Sequence, residues 1–196
     1  MRSKTEITKK KIIDAAFVLF TNHGRHNVSM KDISQKSGVS NGSIFHHFNS
    51  KDQIVIEVYV RERRSYWNTV FNAMEAWEGT PSDALGEATR ASLHYQEKFP
   101  KRHKFMIECG ADSRLAELTD PVQKLNAVFF ARFYQWANPH FEAGTLAILQ
   151  PELYSAIIFG PAQWVGRAWA TDQANKKPSA YADSLAAIVA SIFKPS

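Results

Sequence analysis

Two adjacent histidines, His46 and His47, stand in the stretch GVSNGSIFHHFNSKDQ and raise the question of metal binding. Neighbouring side chains on a helix diverge by about 100°, whereas two helical residues that share an ion stand one turn apart. The other candidates, His94, His103 and His140, are scattered and form no group with ligand spacing. The sequence therefore predicts no metal site.

The sequence also offers little sign of a catalytic nucleophile. Cys109, the single cysteine, has Glu108 and Asp112 as neighbours, whereas a reactive thiol needs nearby positive charge. The sequence contains no G-x-S-x-G, no H-E-x-x-H and no glycine loop of the kind that binds phosphate. We therefore predict no catalytic residue, no cofactor and no enzymatic activity.

The composition favours a folded cytoplasmic protein. Hydrophobic residues make up 44% of the 196 residues, which is enough for a core. No apolar run approaches the roughly 20 residues of a membrane span, and the basic N-terminus does not lead into a secretory h-region. A single cysteine excludes an internal disulfide and fits a reducing compartment. We expect a cytoplasmic location and no membrane partner.

The positive charge is concentrated in the first quarter of the chain. Residues 1–51 hold nine Lys or Arg and three acidic residues, and residues 52–196 hold fifteen basic and sixteen acidic residues. Such asymmetry indicates a polyanionic partner for the N-terminal quarter, although a solvated basic face would give the same distribution.

Hydrophobic periodicity predicts an all-α protein, and the sequence shows no convincing β alternation. Apolar residues from Ile12 to Phe20 recur at helical spacing, and Gly24 ends this first helix. A long fourth helix starts after Ser50 and extends to about Trp77. Prolines mark the later boundaries, which predicts helices near residues 82–98, 102–118, 121–137, 151–173 and 179–194.

Two short helices joined by a tight turn follow the first helix. Ser29 and Asp32 form a capping-box pattern at the start of helix two, and Gly38 permits a positive φ at the turn. Helix three begins after Ser40 or Asn41. The residues predicted to face inward are Ile33, Val39, Ile44 and Phe48. This arrangement is a helix-turn-helix, whose second helix enters the major groove of DNA.

The outward residues of helix three carry short, mostly polar side chains, which suit a helix that must reach base edges. Gly42 lets the backbone approach DNA closely, and Lys51 at the start of helix four is placed to meet a phosphate. The candidate DNA-binding residues are Lys31, Asn41, Gly42, Ser43, Phe45, His46, His47 and Lys51.

The segment VSMKDISQKSGVSNGSIFHHFNSKDQIV resembles the DNA-binding signature of the TetR/AcrR family of transcriptional regulators. The matching positions are Ser29, Ile33, Gly38, Val39, Ser40, Gly42, Ser43, Phe45, Phe48 and Lys51. The resemblance covers residues 8 to about 60. Many members of the family carry tyrosine in the place of Phe45, and Phe45 lacks the hydroxyl that bonds a phosphate there.

This resemblance implies a ligand-responsive transcriptional repressor that acts as a homodimer. Residues 1–52 would bind double-stranded operator DNA, and residues 53–196 would bind a small-molecule effector and a second copy of the chain. We expect the last two helices to form the dimer, because their apolar faces carry small residues that permit close approach. These small residues are Ala156, Gly160, Ala187 and Ala190.

The C-terminal part is rich in aromatic residues, which favours an apolar or aromatic effector in the cavity that the resemblance implies. The expected lining combines large rings with a few polar side chains. The candidate effector-binding residues are Trp67, Phe71, Arg90, His94, Phe105, Phe129, Arg132, Phe133, Gln163 and Trp164. The long fourth helix starts at the DNA with Lys51 and reaches Trp67 and Phe71, so it is the expected route of communication.

Two alternative functions remain at this point. The chain could be a helix-turn-helix regulator whose C-terminal domain binds a protein partner and no small ligand. It could also be an enzyme with an accessory DNA-binding domain, which would require an activated nucleophile or an acid–base pair in a pocket.

Overall fold

The structure is a computed structural model that describes residues 3–112, 115 and 120–195. This part of the chain contains α-helices, two short 3-10 helices and no β-strand, so the all-α prediction is confirmed. The α-helices are α1 (Lys4–His23), α2 (Met30–Ser37), α3 (Asn41–His47), α4 (Lys51–Glu75), α5 (Pro81–Lys98), α6 (Pro100–Gly110), α7 (Asp120–Glu142), α8 (Pro151–Ala170) and α9 (Ala182–Ile192). The 3-10 helices are Arg25–Asn27 and Pro178–Tyr181.

Two helices differ from the predicted bounds. Helix α6 ends at Gly110 instead of near residue 118, and part of the predicted extension lies outside the described residues. Helix α7 continues past the expected end at residue 137 and includes Pro139. Proline removes one amide donor and its ring crowds the preceding turn. Since Pro139 lies in the last turn, the cost to the helix is confined to that turn, and the chain turns away at Gly144 with φ 64°.

The chain divides into two compact units. The first unit contains the described residues of Met1–Arg63 and Phe105–Lys124. Its buried apolar core combines residues from the helix-turn-helix with residues from α1 and α4. The buried members from α1 to α3 are Ile12, Ala16, Phe20, Val28, Ile33 and Ile44. The helices of the first unit therefore share one core, as a helix-turn-helix on a supporting helix requires.

The first unit also includes a segment from much later in the sequence. The ring of Phe105 stacks on Phe20 with centroids 6.1 Å apart and meets the edge of Phe17 at 6.5 Å. Asp112 forms a buried ion pair with Arg25 of the first 3-10 helix. The compact unit is thus larger than the predicted DNA-binding domain of residues 1–52, because side chains beyond residue 104 complete its core.

The second unit contains the described residues of Arg64–Lys104 and Leu125–Ser196. Helix α5 is its central element and packs against both α8 and α9. A Cβ atom at Gly86 would lie 2.5 Å from the carbonyl oxygen of Ala186, so α5 and α9 approach closely only because residue 86 is glycine. Arg90 pairs with Asp183 across the same two helices at 3.1 Å.

Buried polar side chains connect α5 to α8 near an internal proline. Pro161 lies inside α8 and removes one of its backbone donors. The hydroxyl of Thr89 donates to the carbonyl of Ile158 at 2.7 Å, and Nε2 of Gln96 donates to the carbonyl of Ala162 at 3.1 Å. These side-chain hydrogen bonds hold the two helices together on both sides of Pro161.

Candidate nucleic-acid interface and effector core

Local hydrogen bonds fix the backbone of the helix-turn-helix. The Ser29 hydroxyl accepts from the amide of Asp32, and the Asp32 carboxylate accepts from the amide of Ser29, which completes the predicted capping box. Hydrogen bonds from the Ser29 side chain and amide lower the pKa of Asp32. Gly38 adopts the left-handed conformation at φ 68°, and its amide donates to the Ser34 carbonyl. The turn therefore has the geometry that its sequence predicts.

Apolar contacts hold the buried side of helix α3, and a cap fixes its N-terminus. Its N-terminus is capped by Ser40, whose hydroxyl accepts from the amide of Ser43. Ile44 and Phe48 are buried in the core of the first unit. The Ser34 hydroxyl donates to the carbonyl of Val39 at 2.7 Å, which ties α2 to the turn before α3. Helix α3 is thus fixed to the rest of the first unit by its buried side and by its N-terminal cap.

The opposite side of α3 faces solvent. Asn41, Gly42, Phe45 and His46 are exposed and lie one turn apart in pairs, so they form a single stripe along the helix. The next residues to this stripe, Ser43 and His47, are half-buried, and Lys31 on α2 is exposed. A Cβ atom at Gly42 would meet no atom within 4 Å, so the glycine leaves open space on the outside of the helix. Such a face suits contact with a large partner.

Lys51 has a different environment from the one the sequence predicts. Its ammonium donates to the backbone carbonyls of Arg25 and Val28, each at 3.0 Å, and the side chain is half-buried. Two of its three donors therefore serve the first unit itself. The contact of Lys51 with a phosphate stays a prediction. Such a contact would use the third donor of the ammonium group. The signal that sequence reasoning missed is the 3-10 helix at Arg25–Asn27, whose carbonyls need donors.

In the second unit the structure brings three of the candidate effector residues together. The rings of Trp67 and Phe129 lie 5.8 Å apart, and Phe71 stacks on Phe129 at 5.5 Å. Phe159 of α8, which the sequence analysis did not single out, meets the edge of Trp67 at 4.7 Å. We call Trp67, Phe71, Phe129 and Phe159 the effector core, because three of them are predicted to bind an effector and that role stays a prediction.

A fourth candidate, Phe133, lies in a neighbouring aromatic group on α7 and α8. Its ring is 5.1 Å from Tyr154 and 5.3 Å from Tyr134. Tyr154 also stacks on Phe193 at 5.8 Å, beyond the end of α9. These contacts make Phe133 part of the packing that joins α7, α8 and the C-terminal segment.

The two arginine candidates are engaged in ion pairs. Arg132 binds both carboxylate oxygens of Glu75, at 2.7 and 2.6 Å, and its guanidinium lies 5.2 Å from the centre of the Phe71 ring. The Glu75 carboxylate raises the pKa of Arg132. Arg90 pairs with Glu87 and Asp183. Both guanidiniums therefore hold helices together, which sequence could not distinguish from ligand binding.

Four other candidates do not join the effector core, and for them the structure corrects the expectation of convergence. Trp164 is 72% exposed, and Gln163 beside it is exposed as well, because this side of α8 faces away from α5. His94 is exposed on α5. Phe105 is buried in the first unit instead of the second, since it stacks on α1.

Sequence reasoning missed a pair of buried polar residues near α8. Gln96 and His103 both reach Gly166, where a Cβ atom would collide with Gln96 and lie 2.6 Å from Nε2 of His103. Burial lowers the pKa of His103 to about 4, so the imidazole is neutral at physiological pH. Burial likewise raises the pKa of Cys109 to about 12, which keeps that thiol protonated.

No group of three or more His, Cys, Asp or Glu side chains among the described residues could hold a metal ion. No helix in the described ranges combines the length and the apolar character that a membrane crossing requires.

Comparison with known proteins agrees with the geometry of α2 and α3. Residues 12–58 match the family model of bacterial regulatory proteins of the tetR family. Residues 12–58 therefore form a tetR-family domain of the kind found in transcriptional regulators. The N-terminal helix-turn-helix is therefore a DNA-binding module, and the family is one of regulators and not of enzymes.

Relatives of known sequence are also regulators of the helix-turn-helix type. The chain is 27% identical over 166 residues to the HTH-type transcriptional regulator RutR of Escherichia coli K12, covering 83% of this chain and 76% of RutR. It is 30% identical over 63 residues to the regulator UidR of the same strain, covering 32% of each chain. The crystal structure of FadR from Bacillus subtilis in complex with stearoyl-CoA has a TM-score of 0.74 at 16% identity, covering 93% of this chain and 97% of FadR. The last similarity shows a shared fold.

Proposed function

We propose that this chain is a cytoplasmic, homodimeric repressor that binds a palindromic operator and leaves it when a small effector binds. The exposed stripe of α3 carries the proposal. Asn41, Gly42, Phe45 and His46 lie on one solvent-facing side of a helix whose other side is buried and whose start is capped. Short polar groups on a rigid helix fit the major groove, where base edges are read.

The proposed division of labour on the DNA separates charge from sequence reading. Exposed Lys31 and the Lys9–Lys11 group would neutralise phosphates, whereas Asn41, Ser43 and His46 would read bases. Lys51 contributes to DNA binding mainly by fixing the 3-10 helix at Arg25–Asn27, because two of its donors are used there. Residues 1–52 supply the proposed contacts, and the described residues Phe105 to Asp112 and Leu115 complete the unit that presents them.

Dimerisation through α8 and α9 is supported by the apolar side chains that these helices expose. Leu153 and Trp164 on α8 and Ile188 and Ile192 on α9 are all more than 40% exposed. Apolar side chains repeated along two neighbouring helices mark an interaction surface, and a two-fold axis would pair them into a four-helix bundle. Ala187 is exposed on this surface, whereas the predicted seam residue Ala190 is buried against α5.

A pair of variants tests the dimer. Ala187→Glu combined with Ile188→Glu places charge on the exposed side of α9 and should give monomers in sedimentation experiments. Ala131→Glu, on the exposed side of α7, adds charge elsewhere and should leave the dimer intact. A double variant that still sediments as a dimer would defeat the assignment of this surface.

The effector is proposed to be a small apolar or aromatic molecule that binds at the effector core, with residues 53–196 as the sensing and dimerisation part. Support comes from the four rings gathered from α4, α7 and α8 and from FadR, a protein of the same fold that binds stearoyl-CoA. A ligand shifts the population of two states only if it binds one of them better. A hundredfold preference for the DNA-free state would supply about 2.7 kcal/mol of coupling. Helix α4, continuous from Lys51 to Glu75, is the proposed route of that coupling.

Selection of genomic fragments on the purified full-length protein tests the function. We expect recovery of an inverted repeat whose half-sites lie about one helical turn, roughly 34–36 Å, apart. Asn41→Ala should change the preferred bases within the half-site, and Lys31→Ala should weaken all DNA binding and reduce the salt slope by about 1. If no shared motif is recovered, the chain is not an operator-binding repressor.

A further inference from the structure

A row of aromatic rings in the second unit runs from Trp67 of the effector core to Phe99 at the end of α5. Tyr66 lies 5.0 Å from Trp67, and Tyr95 lies 5.3 Å from Tyr66. The ring of Phe99, the residue that follows α5, is 4.9 Å from the ring of Tyr95, and Phe99 is half-buried. We call Trp67, Tyr66, Tyr95 and Phe99 the aromatic row. Its two end residues, Trp67 and Phe99, are half-buried, and the two tyrosines between them are buried.

Positive charge surrounds the outer end of this row. The ammonium of Lys98 lies 5.5 Å and the guanidinium of Arg102 lies 5.0 Å from the centre of the Phe99 ring. Lys101 and Lys104 are exposed beside them. We call Lys98, Lys101, Arg102 and Lys104 the basic collar.

Two residues of the collar, Lys101 and Arg102, lie in the first turn of α6, whereas Lys98 lies in the last turn of α5. The first turn of α6 reads Pro-Lys-Arg-His and contains no acidic residue. Cations near a helix N-terminus are destabilising, because they meet the positive end of the helix dipole. Glu97, next to Lys98 in the sequence, interacts with Lys177 and with the amide of Ser179. Lys101 and Arg102 therefore stand where the dipole of α6 disfavours positive charge.

One member of the aromatic row, Tyr95, carries a buried hydroxyl. Tyr95 is 2% exposed, and its hydroxyl has no hydrogen-bond partner among the described residues. A buried hydroxyl without a partner costs about 1–3 kcal/mol, so it calls for an explanation in terms of function. The hydroxyl can donate one hydrogen bond, and an anionic oxygen is the strongest acceptor for it.

We infer that the outer end of the aromatic row binds the anionic head group of an amphiphilic effector whose apolar tail lies against the rings. The inference rests on the proposed function, since it specifies the effector of the same sensing unit. Tyr95 would donate to the head group while Lys98 and Arg102 neutralise it. The ligand class is a hydrocarbon or aromatic tail ending in a carboxylate or a phosphate, which share negative charge and acceptor oxygens.

Two probes with the same tail isolate the head group. Decyl phosphate and 1-decanol, titrated calorimetrically below micelle-forming concentrations into the full-length protein, differ only in the anionic group. One or two charge-assisted hydrogen bonds correspond to a preference for decyl phosphate of about tenfold or more. Equal affinities for the two probes would overturn the inference.

Further arms of the experiment separate the sources of the anion. Decanoate that competes with decyl phosphate for one site per chain supports a free anionic amphiphile, and the tighter of the two identifies carboxylate or phosphate. Cosedimentation with phosphatidylglycerol vesicles that excess decyl phosphate does not displace would overturn the inference, because the collar would then serve a membrane surface.

Variants locate the head group on these residues. Tyr95→Phe keeps the ring and removes the hydroxyl, so it should lower decyl phosphate affinity several-fold without lowering the melting temperature. Lys98→Gln with Arg102→Gln should reduce the preference for decyl phosphate to near that for 1-decanol. Lys124→Gln with Lys194→Gln removes the same charge from exposed positions elsewhere and should leave the preference unchanged. If both double variants behave alike, the collar does not bind the head group.

Operator binding is measured in parallel so that the two proposals fail separately. A protein that binds its operator but shows no preference for decyl phosphate refutes the inference and leaves the proposed function standing. A protein that prefers decyl phosphate but selects no operator refutes the proposed function.

Discussion

The DNA-binding surface and the effector core of this chain are determined over different distances in the sequence. Hydrogen bonds between residues at most five positions apart fix the described backbone of α2, the turn and α3, as in Ser29–Asp32, Ser34–Val39 and Ser40–Ser43. The effector core gathers Trp67, Phe129 and Phe159 from three helices. Local geometry leaves a recognisable motif, whereas distant packing does not, so the function of the first region is easier to read than that of the second.

The first unit, which carries the DNA-binding surface, also depends on a residue that is distant in the sequence. Asp112 pairs with Arg25, and both side chains are less than 10% exposed. Removal of one member of a buried ion pair leaves the other charge without compensation. The largest effect that we predict therefore concerns this pair.

Asp112→Ala should destabilise the first unit by about 3–5 kcal/mol, because Arg25 would remain buried without its carboxylate. Denaturant unfolding followed by circular dichroism measures the loss. The double variant Arg25→Met with Asp112→Leu removes both charges and should be far less destabilised than Asp112→Ala. If the single and double variants are equally unstable, the loss reflects packing and not the unpaired charge.

The second unit offers a comparable test of distant packing at Gly166. Gly166→Ala introduces a methyl group that collides with Gln96 and approaches His103, so we expect a loss of about 1–3 kcal/mol. Thermal unfolding of the full-length protein measures the loss. Gly166→Ala with Gln96→Ala makes room for the methyl group and should lose less than the two single changes added together. Strict additivity would show that Gly166 and Gln96 do not restrain each other.

The glycines of the chain show why one part of the structure was predictable from sequence and another part was not. Gly24 and Gly38 stop helices through backbone geometry that the glycines themselves permit, and both helix ends were predicted correctly. Gly86 and Gly166 are needed because Ala186, Gln96 and His103 approach them from other helices. The sequence contains no local signal for such an approach.

Side-chain roles show the same division. The outward stripe of α3 followed from helical spacing and the inward residues Ile44 and Phe48, and the structure places it on the exposed side. Arg132 and Trp164 were predicted to bind the effector because of their side-chain types. In the structure Arg132 pairs with Glu75, and Trp164 faces solvent. Which neighbour a long or large side chain meets depends on packing that periodicity does not specify.

Gly42 should separate DNA binding from folding more sharply than any core position. Gly42→Ala meets no atom within 4 Å and should stabilise the helix by up to about 1 kcal/mol, since alanine favours helix formation. The added methyl group would hold α3 away from the groove, so operator affinity should fall about tenfold, or ~1.4 kcal/mol, in fluorescence anisotropy. Gly38→Ala, at φ 68°, should instead destabilise by about 1 kcal/mol. Unchanged operator affinity in Gly42→Ala would place the DNA on another surface.

The smallest predicted effect is the pH dependence of the capping box formed by Ser29 and Asp32, which is a local feature of the DNA-binding surface. Hydrogen bonds from Ser29 lower the pKa of Asp32, so the capping box contributes stability above the unfolded-state pKa of about 4, and this contribution is lost as the pH falls through the folded-state value. The melting-temperature difference between the natural chain and Asp32→Asn should be constant from pH 7 to about pH 5 and should shrink below pH 4. Asp172→Asn, an exposed carboxylate in the second unit, reports the general effect of removing one charge. Because the box is local and exposed, the shift should be small and confined to unfolding of the first unit. Parallel melting curves for the natural chain and Asp32→Asn down to pH 3 would show that the carboxylate does not support α2 in solution.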